Sequence, residues 1–312
     1  MKELADYHSI KEKDNFFKSS KRFKNRSIDN IEEFEKFYTR WMTKNKEAKL
    51  GTYFFRGMTQ ARYRLYTSAQ RMWMTNERKT SEVKVTYREF FKTLLDISRN
   101  HPVLSEVFKV YKLKGDEISF PALSLIQHYG GPSPLMDWSY ELDIALYFAM
   151  EKVDEKVEYA NLIGDYVSVY RINNTKTKVQ SLSQLSQAAF PSFNDLIEQL
   201  KKGELSPARL FYMAGFEETG QIKSLTSIYN QNIITQKGLF IFNPSRTNPL
   251  EDYFPKNSSN NAQIRCYNIH KSLAGHIRKI IADRNVTKEF IYPDLNKVIE
   301  FVKEEIAKKI FK

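Results

Sequence analysis

Apolar positions along this chain alternate between two periods. Ile31, Phe34, Phe37 and Trp41 recur at helical spacing behind Asp29 and Asn30, either of which can cap, with Glu32 and Glu33 in the first turn facing the positive helix end. Leu65 to Arg78 and Ser81 to Ser98 also read as helices, the second burying Tyr87, Phe90, Phe91, Leu94 and Leu95. Leu142, Ala145, Leu146, Ala149 and Val153 mark another, and Leu295, Val298, Ile299, Val302, Ile306 and Ile310 a closing amphipathic helix. Strand character appears at Thr52 to Gly57, Tyr166 to Ile172, Leu239 to Phe242 and Arg265 to Ile269. The Gln-, Ser- and Lys-rich stretch between them carries helices around Phe193 to Leu200 and Pro207 to Phe216.

These elements predict an α+β fold, with mixed central strands forming a cleft, flanking helices and an N-terminal helical extension. Residues 1–48 form a basic arm and helix, and residues 49–312 the main domain. Within it Pro244, Pro249, Pro255 and the run Asn257 to Asn261 predict a flexible loop over 243–262, and the closing helix follows.

Between two ordered segments lies Gln127-His128-Tyr129-Gly130-Gly131-Pro132-Ser133-Pro134-Leu135-Met136-Asp137-Trp138-Ser139, a concentration of polar, aromatic and backbone-bending residues that packing alone does not require. The stretch is expected as a polar loop. Asp137 serves either as a catalytic carboxylate or as the cap of the following helix. His128 is either a general base or a hydrogen-bonded structural residue, and Trp138 either stacks on a ring or plugs the core. Arg56, at the end of an aromatic strand, either contacts a ligand or holds the loop through a buried ion pair. Arg71 can pair with Asp137 or add to a phosphate site. Gln127 and Gln236 can orient each other or a ligand amide, or satisfy buried backbone groups.

Lys and Arg number 49 against 37 Asp and Glu, a net charge of +12 that suits phosphate-bearing partners. Lys18, Lys21, Arg22, Lys24 and Arg26, interleaved with Phe16, Phe17 and Phe23, are either a nucleic-acid arm or an extension whose phenylalanines dock while its lysines stay wet. Cys266 and the scattered His8, His101, His128, His270 and His276 make no zinc-ligand spacing, so no metal is expected. Apolar runs are short and broken by charge, and the opening Met1-Lys2-Glu3-Leu4 begins no export segment, so no membrane is expected and the cytoplasm is the expected compartment.

Phe55-Arg56-Gly57, Gln127-His128-Tyr129-Gly130 with Asp137-Trp138-Ser139, and Gln236-Lys237-Gly238-Leu239-Phe240 together resemble the FRG domain family. Leu65, Ser68 and Arg71, the helix end Ala145 to Ala149 and Tyr292-Pro293-Asp294-Leu295 extend the resemblance. Met58, Pro134, Glu141-Leu142 and Asn232 depart from it, the second and fourth standing where arginines are common. The family has no agreed activity and is met in bacterial and phage genomes, which implies a setting of antiviral defence or toxin action. The motif order is also distantly similar to ADP-ribosyltransferases. That similarity implies NAD as substrate, with Arg56 on its phosphates or ribose, Gly57 leaving room for the ligand, Ser139 on the nicotinamide ribose, and Tyr129 or Trp138 stacked on a ring. Gln236 stands at the position of the usual catalytic glutamate, where it cannot act as a base. Two function classes follow: an NAD- or nucleotide-binding effector that transfers ADP-ribose or cleaves NAD, and a non-catalytic nucleic-acid or protein interaction module.

Overall fold

A computed structural model describes residues 4, 6–17, 27–76, 85–110, 119–155, 160, 162–177, 180–181, 211–214, 231–243, 245–254 and 263–294. The basic run from Lys18 to Arg26, the helix expected at Phe193 to Leu200 and the closing helix from Leu295 lie outside the described residues.

The described residues form an α+β fold around a sheet of seven strands. These are β1 (Tyr53–Met58), β2 (Leu135–Ser139), β3 (Tyr166–Asn173), β4 (Gln180–Ser181), β5 (Phe211–Ala214), β6 (Gly238–Phe242) and β7 (Ile264–His270), in the order β4-β5-β6-β2-β1-β3-β7. Among these strands β4 and β5 run parallel and the other pairs antiparallel, and Ile28 adds a single parallel bridge to Ile269. β5 falls where the sequence pattern suggested a helix at Pro207 to Phe216, because a short apolar run fits either period.

Helices α1 (Ile10–Phe17), α2 (Ile31–Glu47), α3 (Ser68–Thr75), α4 (Tyr87–Asn100), α5 (Pro102–Val110), α6 (Ser119–His128), α7 (Leu142–Met150), α8 (Gln231–Thr235), α9 (Ala274–Ala282) and α10 (Lys288–Ile291) surround it. Asn30, not Asp29, caps α2, its side chain accepting from Glu33 N at 3.0 Å. Thr67 with Gln70, and Thr86 with Glu89, form reciprocal boxes that start α3 and α4 later than the apolar pattern suggested.

Strand alternation gives the sheet two apolar faces. Phe55, Val167, Val169 and Ile269 pack under α2, α7 and α9, with Phe34, Phe37 and Trp41 among the buried side chains. Phe54, Met58, Met136, Trp138, Tyr170 and Ile241 form the other core, which Tyr7 and Phe17 cover from the N-terminal segment. Residues 6–17 and 27–48 therefore supply part of both cores. Of the loop expected over 243–262, the part through Phe254 is docked: Leu250 N donates to Leu65 O at 2.9 Å, and Leu250, Glu251 and Phe254 are buried.

Candidate functional site

The sheet opens where its two central antiparallel ladders meet. β2 pairs with β6 over five rungs, and β1 pairs with β3 over six. Between β1 and β2 the register holds the single rung Phe55 opposite Ser139. Past that rung, Arg56 Nη1 donates to the backbone carbonyl of Asp137, so a side chain spans the place where a ladder would continue.

The stretch expected as a loop is a helix end, a turn and a strand. Gly130, at φ +78°, closes α6 in the left-handed region, and the N–H groups of Gly130 and Gly131 donate to Gln127 O at 3.1 Å and Ile126 O at 2.8 Å. Ser68, first residue of α3, fastens this turn. Its Oγ accepts from Ser133 N at 2.9 Å and lies 3.0 Å from Gly131 O and 3.1 Å from Gln127 Oε1. The chain then enters β2, where Leu135, Met136, Trp138 and Ser139 are buried and Asp137 alone is exposed.

An exposed carboxylate in the middle of a central strand is held by Gln127, whose Nε2 donates to Asp137 Oδ2 at 2.8 Å. Asp137 is thus no helix cap; the N-cap of α7 is Glu141, and the hydroxyl of Ser139 accepts from its N–H at 3.0 Å. Arg56 is half-buried beside it, and Arg71, also half-buried, is near enough to Arg56 for its charge to be felt there. Burial, with a smaller push from the like charge of Arg71, lowers the Arg56 pKa to about 10 against the opposing pull of Asp137, so Arg56 remains a cation at neutral pH. Arg56 Nε is buried without a hydrogen-bond partner, and the guanidinium of Arg71 makes no hydrogen bond or ion pair with the described residues. Arg71 pairs with no carboxylate of this loop; burial depresses its pKa, opposed by Tyr63 and Asp6.

His128 sits at the rim of this group. Burial depresses its pKa below the ordinary histidine value, and the Asp137 charge opposes the shift. Tyr129 is 79% exposed, its ring edge-on to His128 at 4.9 Å. Across the opening Tyr292 donates to Glu151 Oε1 at 3.0 Å and meets the rings of Tyr147 and Phe148. The charge of Asp137 is felt by Tyr292, though burial and Glu151 dominate the upward shift of that phenol. Ser68, Tyr147 and Glu151 were not singled out as site residues. Ser68 and Tyr147, standing within the motif set, carried a signal.

The remaining predicted residues lie apart from this group. Ser139 donates to Gln236 O at 2.7 Å, and Gln236 Nε2 donates to Ile291 O at 3.1 Å, so both tie β2 and α8 to α10; Gln127 and Gln236 do not orient each other. Trp138 is 3% exposed within the sheet core, the plugging role, and stacks on nothing that enters the opening. Gly57 faces α7: a Cβ there would stand 2.6 Å from Ala149 N and nearer still to the Ala145 carbonyl oxygen. The missing side chain is required by the helix, and the space before it is not open to a ligand.

Among the described residues no group of His, Cys, Asp and Glu is placed to hold a metal ion, and no helix is long and apolar enough to cross a membrane. No curated protein and no solved structure matches the chain. The family model of the FRG domain does match, over residues 51–158, a span that takes in Arg56, Gly57, Arg71 and the whole of 127–139 but ends before Gln236; the chain therefore carries an FRG domain, with its exposed carboxylate and both half-buried arginines inside that domain.

Proposed function

We propose that the opening between β1 and β2 binds a nucleotide diphosphate of the NAD type and that Asp137 acts on the ribose beside it. The observation that carries this reading is the closeness of Arg56 and Arg71, two half-buried guanidinium groups of like charge, with Arg56 beside an exposed carboxylate that Gln127 holds. Two cations brought together at a cost in mutual repulsion are stabilised by a bound dianion, and the planar guanidinium fork matches phosphate oxygens. Asp137, the exposed carboxylate of the group, suits stabilisation of positive charge developing on a ribose carbon when a glycosidic bond is strained. Tyr129, exposed at the rim, offers a face for a base or nicotinamide ring. NAD is the substrate in this reading, and ADP-ribose transfer or NAD cleavage the reaction.

Binding without turnover is the second reading, supported by Gln236: its amide is engaged with Ile291 O, and it offers no carboxylate. Calorimetric titration with NAD and ADP-ribose, together with assays for NAD cleavage and for ADP-ribose attachment to protein and nucleic acid, separates the two. Enzyme action requires turnover that Asp137→Asn abolishes while NAD binding persists. Binding without turnover in the native chain supports the module, and absence of both sinks the nucleotide reading.

A further inference from the structure

The N-terminal segment makes its tightest attachment through a lysine that the sequence would leave in water. Lys13, on α1, is fully buried. Its Nζ donates to Ala61 O at 2.6 Å and Ser168 Oγ at 2.7 Å, and stands over the rings of Tyr170 at 4.8 Å and Tyr7 at 5.4 Å. Ser168 passes its own hydroxyl proton to Asn268 Oδ1 at 2.9 Å. Burial lowers the Lys13 pKa, and carbonyl, hydroxyl and ring acceptors stand around its Nζ in place of water.

What the segment grips is the connection from β1 to α3, residues 59–67. Tyr7 N donates to Arg62 O at 2.9 Å, and Lys13 holds Ala61 O. Tyr7 OH donates to Glu251 Oε1 at 3.1 Å, while Glu251 also accepts from Arg64 Nε at 3.2 Å and Leu65 N at 3.0 Å. Arg64 in turn lies over the rings of Tyr7 and Phe16, at 5.4 and 5.3 Å. This connection joins the strand carrying Arg56 to the helix carrying Arg71, and Tyr170 of the socket is the cross-strand neighbour of Arg56. Asp6 is near enough to Arg71 for its charge to oppose the lowering of that group by burial.

We propose that residues 6–17 are a latch, seated by Lys13, whose docking sets the spacing of Arg56 and Arg71 and so regulates anion binding at the opening. The regulatory part rests on the function proposed above; the mechanical part, latch to connection, does not. Such coupling is reciprocal: whatever the latch does to ligand affinity, the ligand does to latch docking. Local opening of a short segment held by a few polar contacts and the docked rings of Tyr7 and Phe17 is the expected form of release.

Cys266 is the chain's sole cysteine, 2% exposed in the core that Tyr7 and Phe17 cover, and its thiol reports on the latch without any ligand. In the full chain, Lys13→Ala is expected to speed thiol labelling by about tenfold or more and to speed amide exchange across 59–67 and α3, while α2 and α9 keep their protection. Lys13→Arg, which keeps a cation on the segment, is expected to restore much of the native rate. Unchanged labelling in Lys13→Ala, or faster labelling with 59–67 as protected as before, overturns the latch. In the unaltered chain, saturating ADP-ribose is expected to slow Cys266 labelling severalfold. Binding of ADP-ribose with no change in labelling overturns the regulatory link, and absence of binding overturns the nucleotide reading while the exchange of 59–67 still decides the mechanical part.

Discussion

Replacing Gly57 with alanine adds one methyl group where the structure leaves no room. The new Cβ would stand 2.6 Å from Ala149 N and closer to the Ala145 carbonyl oxygen, both main-chain atoms of α7. No rotamer relieves such a contact, so either β1 or the helix must shift. Neither moves cheaply: Phe55 next to it is 1% exposed, and Ala145 and Ala149 lie in the same core beneath Val167 and Val169. Overpacking of this kind costs about 3 kcal/mol, the upper end of the usual range. For a chain of this size that is a fall in melting temperature of about 6 °C. Gly130→Ala is the internal control: its φ of +78° is strained for alanine, but nothing lies within 4 Å of the added Cβ. That variant loses about 1 kcal/mol, or about 2 °C. Both are read by thermal unfolding followed by circular dichroism, with urea midpoints as a second measure. A Gly57→Ala protein that melts within about 1 °C of native, or no lower than Gly130→Ala, refutes the close approach of strand and helix.

Three further outcomes follow from named contacts. His128, its pKa lowered by burial against the pull of Asp137, is expected to titrate below 6.5 by NMR; Asp137→Asn removes the opposing charge and lowers the midpoint further, so a rise contradicts the geometry. By linkage, a histidine depressed in the fold makes stability fall as pH drops from about 6.5 through the folded midpoint, where the unfolded chain holds more protons. Glu251→Gln removes the buried carboxylate shared by Arg64, Tyr7 and Leu65 and is expected to cost about 2 kcal/mol in urea unfolding, discounted because Arg64 keeps Asp252 at 2.6 Å; a loss under about 0.5 kcal/mol contradicts the network.

Strands β1, β3, β6 and β7 and helices α2, α3, α4 and α7 were legible because their periods are clean, as in Tyr53 to Met58 and in Leu142 to Met150, whereas β2 was expected as a loop and β5 as a helix. The Phe-Arg-Gly and Asp-Trp-Ser tripeptides marked the place of the site, yet not which atoms serve it. Sequence shows Gly57 as special without showing that the helix following β2 presses on it. It gives Asp137, Trp138 and Ser139 as neighbours, whereas the pleat turns Trp138 into one core and leaves Asp137 exposed. Lys13 and Glu251 were the least legible, since charged residues in an N-terminal arm and a proline-rich loop read as solvated. Their burial depends on Ala61, Ser168, Arg64 and Leu65, partners that are distant in sequence.

The central claim is that Arg56 and Arg71 jointly hold a diphosphate at the opening of the sheet, and calorimetric titration of NAD into the native chain and into Arg71→Ala tests it most directly. Because the Arg71 guanidinium has no partner to lose among the described residues, the substitution is expected to leave the melting temperature within about 2 °C of native. It is expected to weaken NAD binding at least about tenfold, the loss of one charge-assisted contact. Equal affinity in the two proteins, or no NAD binding by a folded native chain, contradicts the account.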